Sequence, residues 1–251
     1  MHRFFFTPDG PLAPGDLVLL PEQIAHQVRD VLHIAVGEQL ILLDNSGDEL
    51  LGHVTKSGRG EVTVEIEQRR PGKSESPVRI ILCQGLLKSA RFEWVLEKGT
   101  ELGVFTFVPT LCRRSMAGLE DAGPGKIQRW QRIIQEATEV SGRARRPELL
   151  PIRPLMHALT DIPEGALAIM AWEEAVDPDL HTVLHNAIAS TPQPQTVVLF
   201  IGPEGGLEAD EVELARRRGV QIVTLGSRIM RAETAALAAV ASIMYELEAS
   251  R

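Results

Sequence analysis

The stretch "LFIGPEGGLEADEVELARRRG", residues 199–219, decides the fold. An apolar run ends in Gly202-Pro203-Glu204-Gly205-Gly206, and an acidic segment with helical spacing follows. Strand, tight glycine turn and helix, in that order, form half of a βαβ unit, and open α/β sheets hold their ligands at such carboxyl ends. The loop is neither of the common phosphate cradles. A dinucleotide fingerprint needs G-x-G-x-x-G, which glycines at 202, 205 and 206 do not supply, and no Gly-Lys-Ser or Gly-Lys-Thr follows in this loop. A helix N-terminus attracts anions, yet Glu204, Glu208, Asp210 and Glu211 crowd this one and oppose a pyrophosphate. The loop therefore suits a neutral or cationic ligand, approached closely by backbone at Gly202 and Gly205. S-adenosylmethionine, with a sulfonium, an ammonium and no phosphate, is of that kind. A tight left-handed turn followed by a capped helix, with no ligand at all, accounts for the same residues.

The next segment, "VTLGSRIMRAETAALAAV" (223–240), repeats the plan. A strand stops at Leu225-Gly226, a loop carries Arg228 and Arg231, and an alanine-rich helix opens with Glu233 and Thr234. So little side-chain bulk lets that helix lie close to another backbone. Upstream, strand-like "VRIILCQGL", "VFTFVPTLC" and "GALAIMAWEE" alternate with helical "KSARFEWVLEKGTELG", "KIQRWQRIIQEATEVSGR" and "DPDLHTVLHNAIAS". Alternation of this kind predicts an α/β domain with an open parallel sheet of about five or six strands over residues 73–251. Trp94 and Trp130 are expected to fill core or interface.

Residues 1–72 have another rhythm. "EQLILLD" (38–44), "ELLGHVT" (49–55) and "EVTVEIE" (61–67) read as strands separated by the turns "NSGD" and "KSGRG", and "PEQIAHQVRDVLH" (21–33) reads as a short helix. They predict a small β-barrel domain, with the Pro-, Gly- and Ser-rich "RRPGKSESPV" (69–78) as linker.

The 251 residues carry a net charge of −8, which taken alone argues against a nucleic-acid partner. The charge is uneven: residues 73–153 hold 14 basic and 9 acidic side chains, a local net of +5. Screening leaves nearby charges dominant, so a basic surface on an acidic chain can still meet a phosphate backbone, though a solvated helix face reads the same. The longest apolar runs are too short to span a bilayer, the opening is not a signal peptide, and two lone cysteines, Cys83 and Cys112, point to a reducing, cytoplasmic setting. His181 and His185 stand at a metal-compatible spacing, but no third ligand is near, and no metal is expected.

"GPEGG" followed by "LGSRIMRAETA" resembles the C-terminal signature of the SPOUT methyltransferases, and more closely the bacterial 16S ribosomal RNA uridine N3-methyltransferase family. "HRFF" (2–5), "GLLKSARFEWVLEKGTELGV" (85–104) and "ATEVSGRARRPEL" (137–149) resemble further blocks of that family, so the likeness covers most of the chain. The resemblance implies a SPOUT-type parallel sheet whose C-terminal region, about 197–245, forms a trefoil knot, preceded by a PUA-like β-barrel domain over residues 1–72. It implies S-adenosylmethionine held by three loops, at Met170 and Trp172; at Leu199, Ile201, Gly202, Pro203, Glu204 and Gly205; and at Leu225, Gly226, Ile229, Met230 and Ala235. It implies a homodimer acting on 16S rRNA, within the 30S subunit, in ribosome biogenesis. Arg231 and Glu233 are the expected catalytic pair, the first stabilising negative charge on the uracil and the second accepting the proton or orienting the arginine. RNA contacts are expected from Arg3, Lys88, Arg91, Lys98, Arg113, Arg114, Arg143, Arg145, Arg146 and Arg228.

The chain departs from the family pattern at Met230 (usually leucine), at His33 (usually arginine) and at Val140 (usually glutamine). His33 puts one phosphate contact of the small domain in doubt. A nicotinamide dehydrogenase would share the sheet but lacks its fingerprint. A non-catalytic RNA-binding module would not need paired glycine loops. A SPOUT enzyme acting on another RNA, such as tRNA or 23S rRNA, is the serious alternative, since fold does not fix target.

Overall fold

The computed structural model describes residues 1–58, 60–116, 118 and 123–249. Arg59, in the turn "KSGRG", and Ser250, at the end of the last expected helix, lie outside the described residues. Two compact units are present: Met1–Glu75 with Thr138–Arg146, and Ser76–Ala137 with Pro147–Arg251.

The first unit is built on strands β1 (Arg3–Phe5), β2 (Leu17–Leu19), β3 (Gln39–Leu43), β4 (Asp48–Gly58) and β5 (Glu61–Pro71). They form one sheet in the order β1-β3-β4-β5-β2. Alternation in β5 buries Val62, Val64 and Ile66 together with Leu40, Leu42, Leu50, Val54 and Val28, which makes a core of its own. The expected barrel is not closed by hydrogen bonds: β1 and β2 are three residues long and each is an edge. Strand β5 continues through Arg69 and Arg70, so the chain is still paired where the linker was expected to begin. The expected helix at 21–33 also divides. Helix α1 (Glu22–His26) passes into a π-type turn at Gln27–Val31, where Leu32 N–H donates to Gln27 O, and His33 closes it with φ 53°. Such left-handed backbone is tolerated by histidine better than by bulky residues. Residues 138–146 belong to this unit because Ala144 is buried against Phe5, Ile41 and Leu43.

The second unit opens with β6 (Arg79–Gly85), α2 (Ser89–Glu101), β7 (Val104–Leu111) and α3 (Pro124–Ser141), the last of which ends in the first unit. There follow β8 (Glu148–Leu149), β9 (Arg153–Pro154), α4 (Leu155–Thr160), β10 (Leu167–Ala171), α5 (Leu180–Ala189), β11 (Thr196–Ile201), α6 (Ala209–Arg217), β12 (Gln221–Val223) and α7 (Ala232–Ala249). The sheet has seven strands, all paired in parallel, in the order β12-β10-β11-β6-β7-β8, with β9 also on β7. The two-residue strands β8 and β9 raise the count above the expected five or six; they are too short to show as a hydrophobic period.

Both faces are covered, as a parallel sheet requires. Ile169, Ala171, Val197, Leu199 and Ile201 pack on one side with Phe92, Trp130 and the α7 residues Ala236, Ala239 and Val240. Ala168, Met170, Val198 and Phe200 pack on the other with Val212 and Ala215 of α6. Trp130 is buried, 4.5 Å from the Phe92 ring, whereas Trp94 lies outside the core at 48% exposure. The first strand, β6, lies centrally: the chain leaves it for β7 on one side and returns as β11 on the other. The carboxyl ends of β10, β11 and β12 lie together on that side of β6, at the end of the sheet where ligands of this class usually bind.

Candidate active site

Three chain segments converge at those carboxyl ends. Strand β10 ends at Ala171, and Trp172 N–H donates to Val223 O of the neighbouring strand, fixing the turn that carries Glu173. Beyond β11, Gly206 N–H donates to Pro203 O at 3.0 Å and takes φ +74°, closing a tight loop. A side chain at Gly206 would meet only the movable end of Glu173, so it is the left-handed backbone that calls for glycine there. Beyond β12, Gly226 turns the chain with φ +109°, its N–H bonded to Thr224 Oγ1 at 3.2 Å, and helix α7 begins at Ala232.

The loops enclose a cavity of about 250 Å³. Its apolar lining includes Trp172, Ile201, Leu225, Ile229, Met230 and Ala235; its charged lining is Arg91, Glu173, Glu204, Arg228 and Arg231. Gly202, Pro203 and Gly226 contribute backbone. Gly85, at the end of β6, lets the glycine loop settle: a methyl there would fall 2.6 Å from the Gly202 carbonyl carbon and onto the Pro203 nitrogen.

The charges are arranged around Arg91 of α2. Its Nη1 donates to Glu204 Oε1 at 3.3 Å, and its Nε is 3.6 Å from Glu233 Oε1. The second oxygens, Glu204 Oε2 and Glu233 Oε2, are buried and have no hydrogen-bond partner among the described residues, nor has the indole N–H of Trp172. Buried polar atoms are ordinarily paired, and of these three, two belong to residues that line the cavity, Glu204 and Trp172. Glu204 Oε1 also accepts from the Lys88 N–H at 3.1 Å, tying the loop after β11 to the start of α2.

The acids that follow the glycine loop have a different duty from the one expected. Glu208 and Asp210 accept from Arg113 Nη1 at 3.0 and 3.2 Å. Glu211 is buried and accepts from the backbone N–H groups of Glu208 and Arg113, capping α6 and pinning the end of β7. None of the three lines the cavity; Glu204 and Glu173 do. Exclusion of a pyrophosphate therefore rests on those two carboxylates.

Of the expected cofactor contacts, Trp172, Ile201, Gly202, Pro203, Glu204, Leu225, Gly226, Ile229, Met230 and Ala235 line the cavity. Met170 and Leu199 do not: both are fully buried within the sheet, one residue and two residues short of the strand ends that reach it. Gly205 is also outside, because its Cα faces Arg114, whose backbone oxygen would be 3.0 Å from a side chain there. Ala171, Glu173, Gly206 and Ala232 also line the cavity and fall within the three loops expected to hold the cofactor; sequence reasoning missed Thr224 and assigned Arg91 to RNA instead.

Arg231, one member of the expected catalytic pair, is exposed on the cavity wall; Glu233, the other, is not among the lining residues, and its Oε1 lies 3.6 Å from Arg91 Nε. Among the expected RNA contacts, Arg228 is exposed on the rim and Lys88 is exposed nearby in α2's first turn. Lys98 is held by Glu97 and Glu101, each at 2.8 Å, and lies 5.3 Å from the Trp94 ring. Arg114 is exposed and reaches Gly205 O at 3.3 Å. In the first unit, Arg3 pairs with Glu49, which Arg70 also engages. Arg143 is a correction. It is 4% exposed, and its guanidinium donates to Glu75 Oε2 at 3.0 Å, so it cannot meet a phosphate backbone. Glu75 further accepts from the backbone N–H groups of Ala144 and Arg145, Arg145 donates to Ser46 O, and exposed Arg146 is anchored through its N–H to Asn45 Oδ1.

Neither cysteine is a nucleophile here: burial pushes the Cys83 thiol up to about 12 and raises Cys112 as well. His181 lies 3.5 Å from Glu246 and stacks on His185. No helix among the described residues is long and apolar enough to cross a membrane.

Residues 74–244 match the family model of the RNA methyltransferase domain. The chain is 31% identical over 245 residues to the ribosomal RNA small subunit methyltransferase E of Synechocystis sp., covering 92% of this chain and 78% of that one. It is 29% identical to the protein of the same name from Bacillus subtilis, covering 90% and 89%. The crystal structure of a ribosomal RNA small subunit methyltransferase E from Neisseria gonorrhoeae bound to S-adenosyl methionine superposes with a TM-score of 0.85 at 31% identity, covering 98% of this chain and 97% of that one. On these matches and on the fold that carries them, the chain belongs to the ribosomal RNA small subunit methyltransferase E family.

Proposed function

We propose that this ribosomal RNA methyltransferase binds S-adenosylmethionine in the cavity at the ends of β10, β11 and β12 and methylates N3 of a uridine in 16S rRNA of the small subunit. The observation that carries the reading is the cavity's charge. Two glycine-turned loops and the turn after β10 enclose a site lined by Glu173 and by Glu204, whose Oε2 is buried without a donor among the described residues, and they form no phosphate cradle. The residues present fit the cofactor: Glu173 and Glu204 offer acceptors to its cationic groups, and Trp172, Ile201, Leu225 and Ile229 offer an apolar wall to its adenine. The cofactor supplies an electrophilic methyl group; the chain's residues supply position, orientation and proton handling.

Uracil N3 carries a proton and is a poor nucleophile until that proton leaves. Glu233 accepts it, and Arg231 steadies the negative charge that then spreads over the uracil oxygens. Arg228 holds a phosphate of the same strand. Residues 197–245, including the loop after β11 and helix α7, form the trefoil knot of SPOUT enzymes, a topology otherwise nearly absent from proteins. The 1–72 segment is the PUA-like RNA-binding domain, continuous with a 73–251 methyltransferase domain. The enzyme works in the cytoplasm as a homodimer. The small and apolar exposed face of α7, with Ala241 and with Tyr245 at 75% exposure, supports such an interface.

Calorimetry with S-adenosylmethionine and with NAD tests the cofactor: saturable binding of the first and none of the second is expected, and the reverse overturns the reading. Mass mapping of small subunits methylated by the protein tests the target. A methyl group on tRNA, on 23S rRNA or on a ribose would instead make this a SPOUT enzyme of another specificity. Arg231→Ala should lower the methylation rate by roughly 10²-fold; an unchanged rate would remove Arg231 from the mechanism.

A further inference from the structure

Arg91, expected to hold RNA backbone, is placed for different work. A surface arginine that meets phosphate projects from a basic patch with its fork open. Arg91 instead reaches into the cavity, with one carboxylate on each side: Glu204 from the loop after β11, and Glu233 from the first turn of α7. Each carboxylate gives one oxygen to the guanidinium and keeps the other buried and unpaired. The trio offers N–H donors beside carboxylate acceptors. The imide edge of uracil presents the complement, an N–H between two carbonyl oxygens.

We propose that Arg91 is a further catalytic residue, which donates to a carbonyl oxygen of the target uracil and stabilises the imide anion formed when N3 loses its proton; this rests on the uridine N3 reading above. In that step the N3–H bond breaks heterolytically, the electron pair stays on N3, and the proton passes to the carboxylate of Glu233, whose Oε1 stands 3.6 Å from Arg91 Nε. Arg91 stays protonated throughout, and its positive charge offsets the anion beside it. Glu204 acts as a positioning residue, fixing the guanidinium from the cofactor side. Arg231 is the second donor, to the other carbonyl; its guanidinium has no acidic partner among the described residues, consistent with one free to meet substrate. Among the described residues the other charged groups that line the cavity are Glu173 from the loop after β10 and Arg228 from the loop after β12, and the Lys88 N–H holds Glu204.

Arg91→Met and Arg91→Lys separate this role from a phosphate contact. Single-turnover methylation of unmodified 30S subunits is followed from neutral to alkaline pH, with S-adenosylmethionine affinity measured by calorimetry on the same preparations. For Arg91→Met the expected result is a rate about 10²-fold lower at neutral pH with cofactor affinity within about twofold, since one donor to the developing anion is lost. The deficit should shrink as alkaline pH ionises the base without help, which moves the midpoint of the pH–rate curve upward. Arg91→Lys, which keeps the charge, should recover part of the rate. If Arg91→Met only raises KM and flattens the salt dependence, with the rate at saturation and its pH midpoint unmoved, Arg91 is a phosphate contact and the proposal is overturned. If Arg91→Met loses fold or cofactor affinity, Arg91→Lys decides: a lowered rate at saturation with the pH midpoint moved upward supports the proposal, and a wild-type rate and midpoint with only KM raised overturns it. Should the wild-type enzyme methylate an atom other than uridine N3, the underlying reading fails, a result distinct from any of these.

Discussion

Two short loops of this chain invite the same kind of inference and answer it differently. "GPEGG" and the acids after it promise a site by exclusion of anions; "SGRARRP" promises one by attraction of them. In both, much of the charge is consumed inside the molecule. Glu208, Asp210 and Glu211 are turned to Arg113 and to helix capping, and Arg143 is turned to Glu75. Of what remains, Glu204 lines the cavity in one loop and Arg146 is exposed in the other. The difference lies in burial. Glu208 and Asp210 pair with Arg113 at the surface, whereas Arg143 is paired in the interior of its unit. A charge run is a count of candidates, and the backbone decides which of them stay available.

The sharpest way to break that comparison is Arg143→Ala. It strips the partner from a carboxylate that also holds two backbone N–H groups, and removal of one member of a buried pair costs about 3–5 kcal/mol. Chemical denaturation should show a loss of that size, while the salt dependence of RNA binding measured on the remaining folded protein stays put. A stable variant with a flattened salt slope would return Arg143 to the RNA and dissolve the distinction. Next in size is Gly85→Ala. The added methyl meets the backbone at Gly202 and Pro203, which cannot swing aside as a side-chain end can, so overpacking of about 1–3 kcal/mol is expected. Because the displaced backbone is the cofactor loop, calorimetry should show S-adenosylmethionine affinity falling with stability, whereas Arg143→Ala should spare it.

Much of this was legible in the sequence wherever the signal is local. Strand, glycine turn and helix occur within about twenty residues, the span of one such unit, and the two C-terminal loops were readable from Gly202 to Gly206 and from Leu225 to Ala235. Period-two alternation also separates Ala171 and Ile201 from Met170, although the choice of face needs the sheet. What was not legible depends on partners distant in the chain. Glu75 lies 68 positions from Arg143, and Glu204 lies 113 from Arg91. Nothing in the sequence near either arginine signals that one is buried and the other turned into a cavity. The two-residue strands β8 and β9 were invisible for the same reason: their pairing with β7 is a tertiary fact with no periodicity behind it.

The smallest expected effect is also the most selective. Arg146 is exposed, and the bond that anchors it runs from its backbone N–H to Asn45, so truncating the side chain leaves the anchor in place. Arg146→Ala should therefore leave unfolding free energy within about 0.5 kcal/mol of wild type, as for most surface substitutions. If its guanidinium meets one phosphate, the slope of log affinity against log salt should fall by about 0.7–0.9. Rate at saturating substrate should not move, because Arg146 belongs to the first unit, and the cavity is lined entirely by residues of the second. Arg143 and Arg146 stand three positions apart in one loop, and the comparison requires opposite phenotypes from them: stability without salt dependence from the first, salt dependence without stability from the second. A slope unchanged by Arg146→Ala would mean that the loop is held by Glu75 for folding alone, and the basic excess of residues 73–153 would then have to act through Lys88, Arg114 and Arg228.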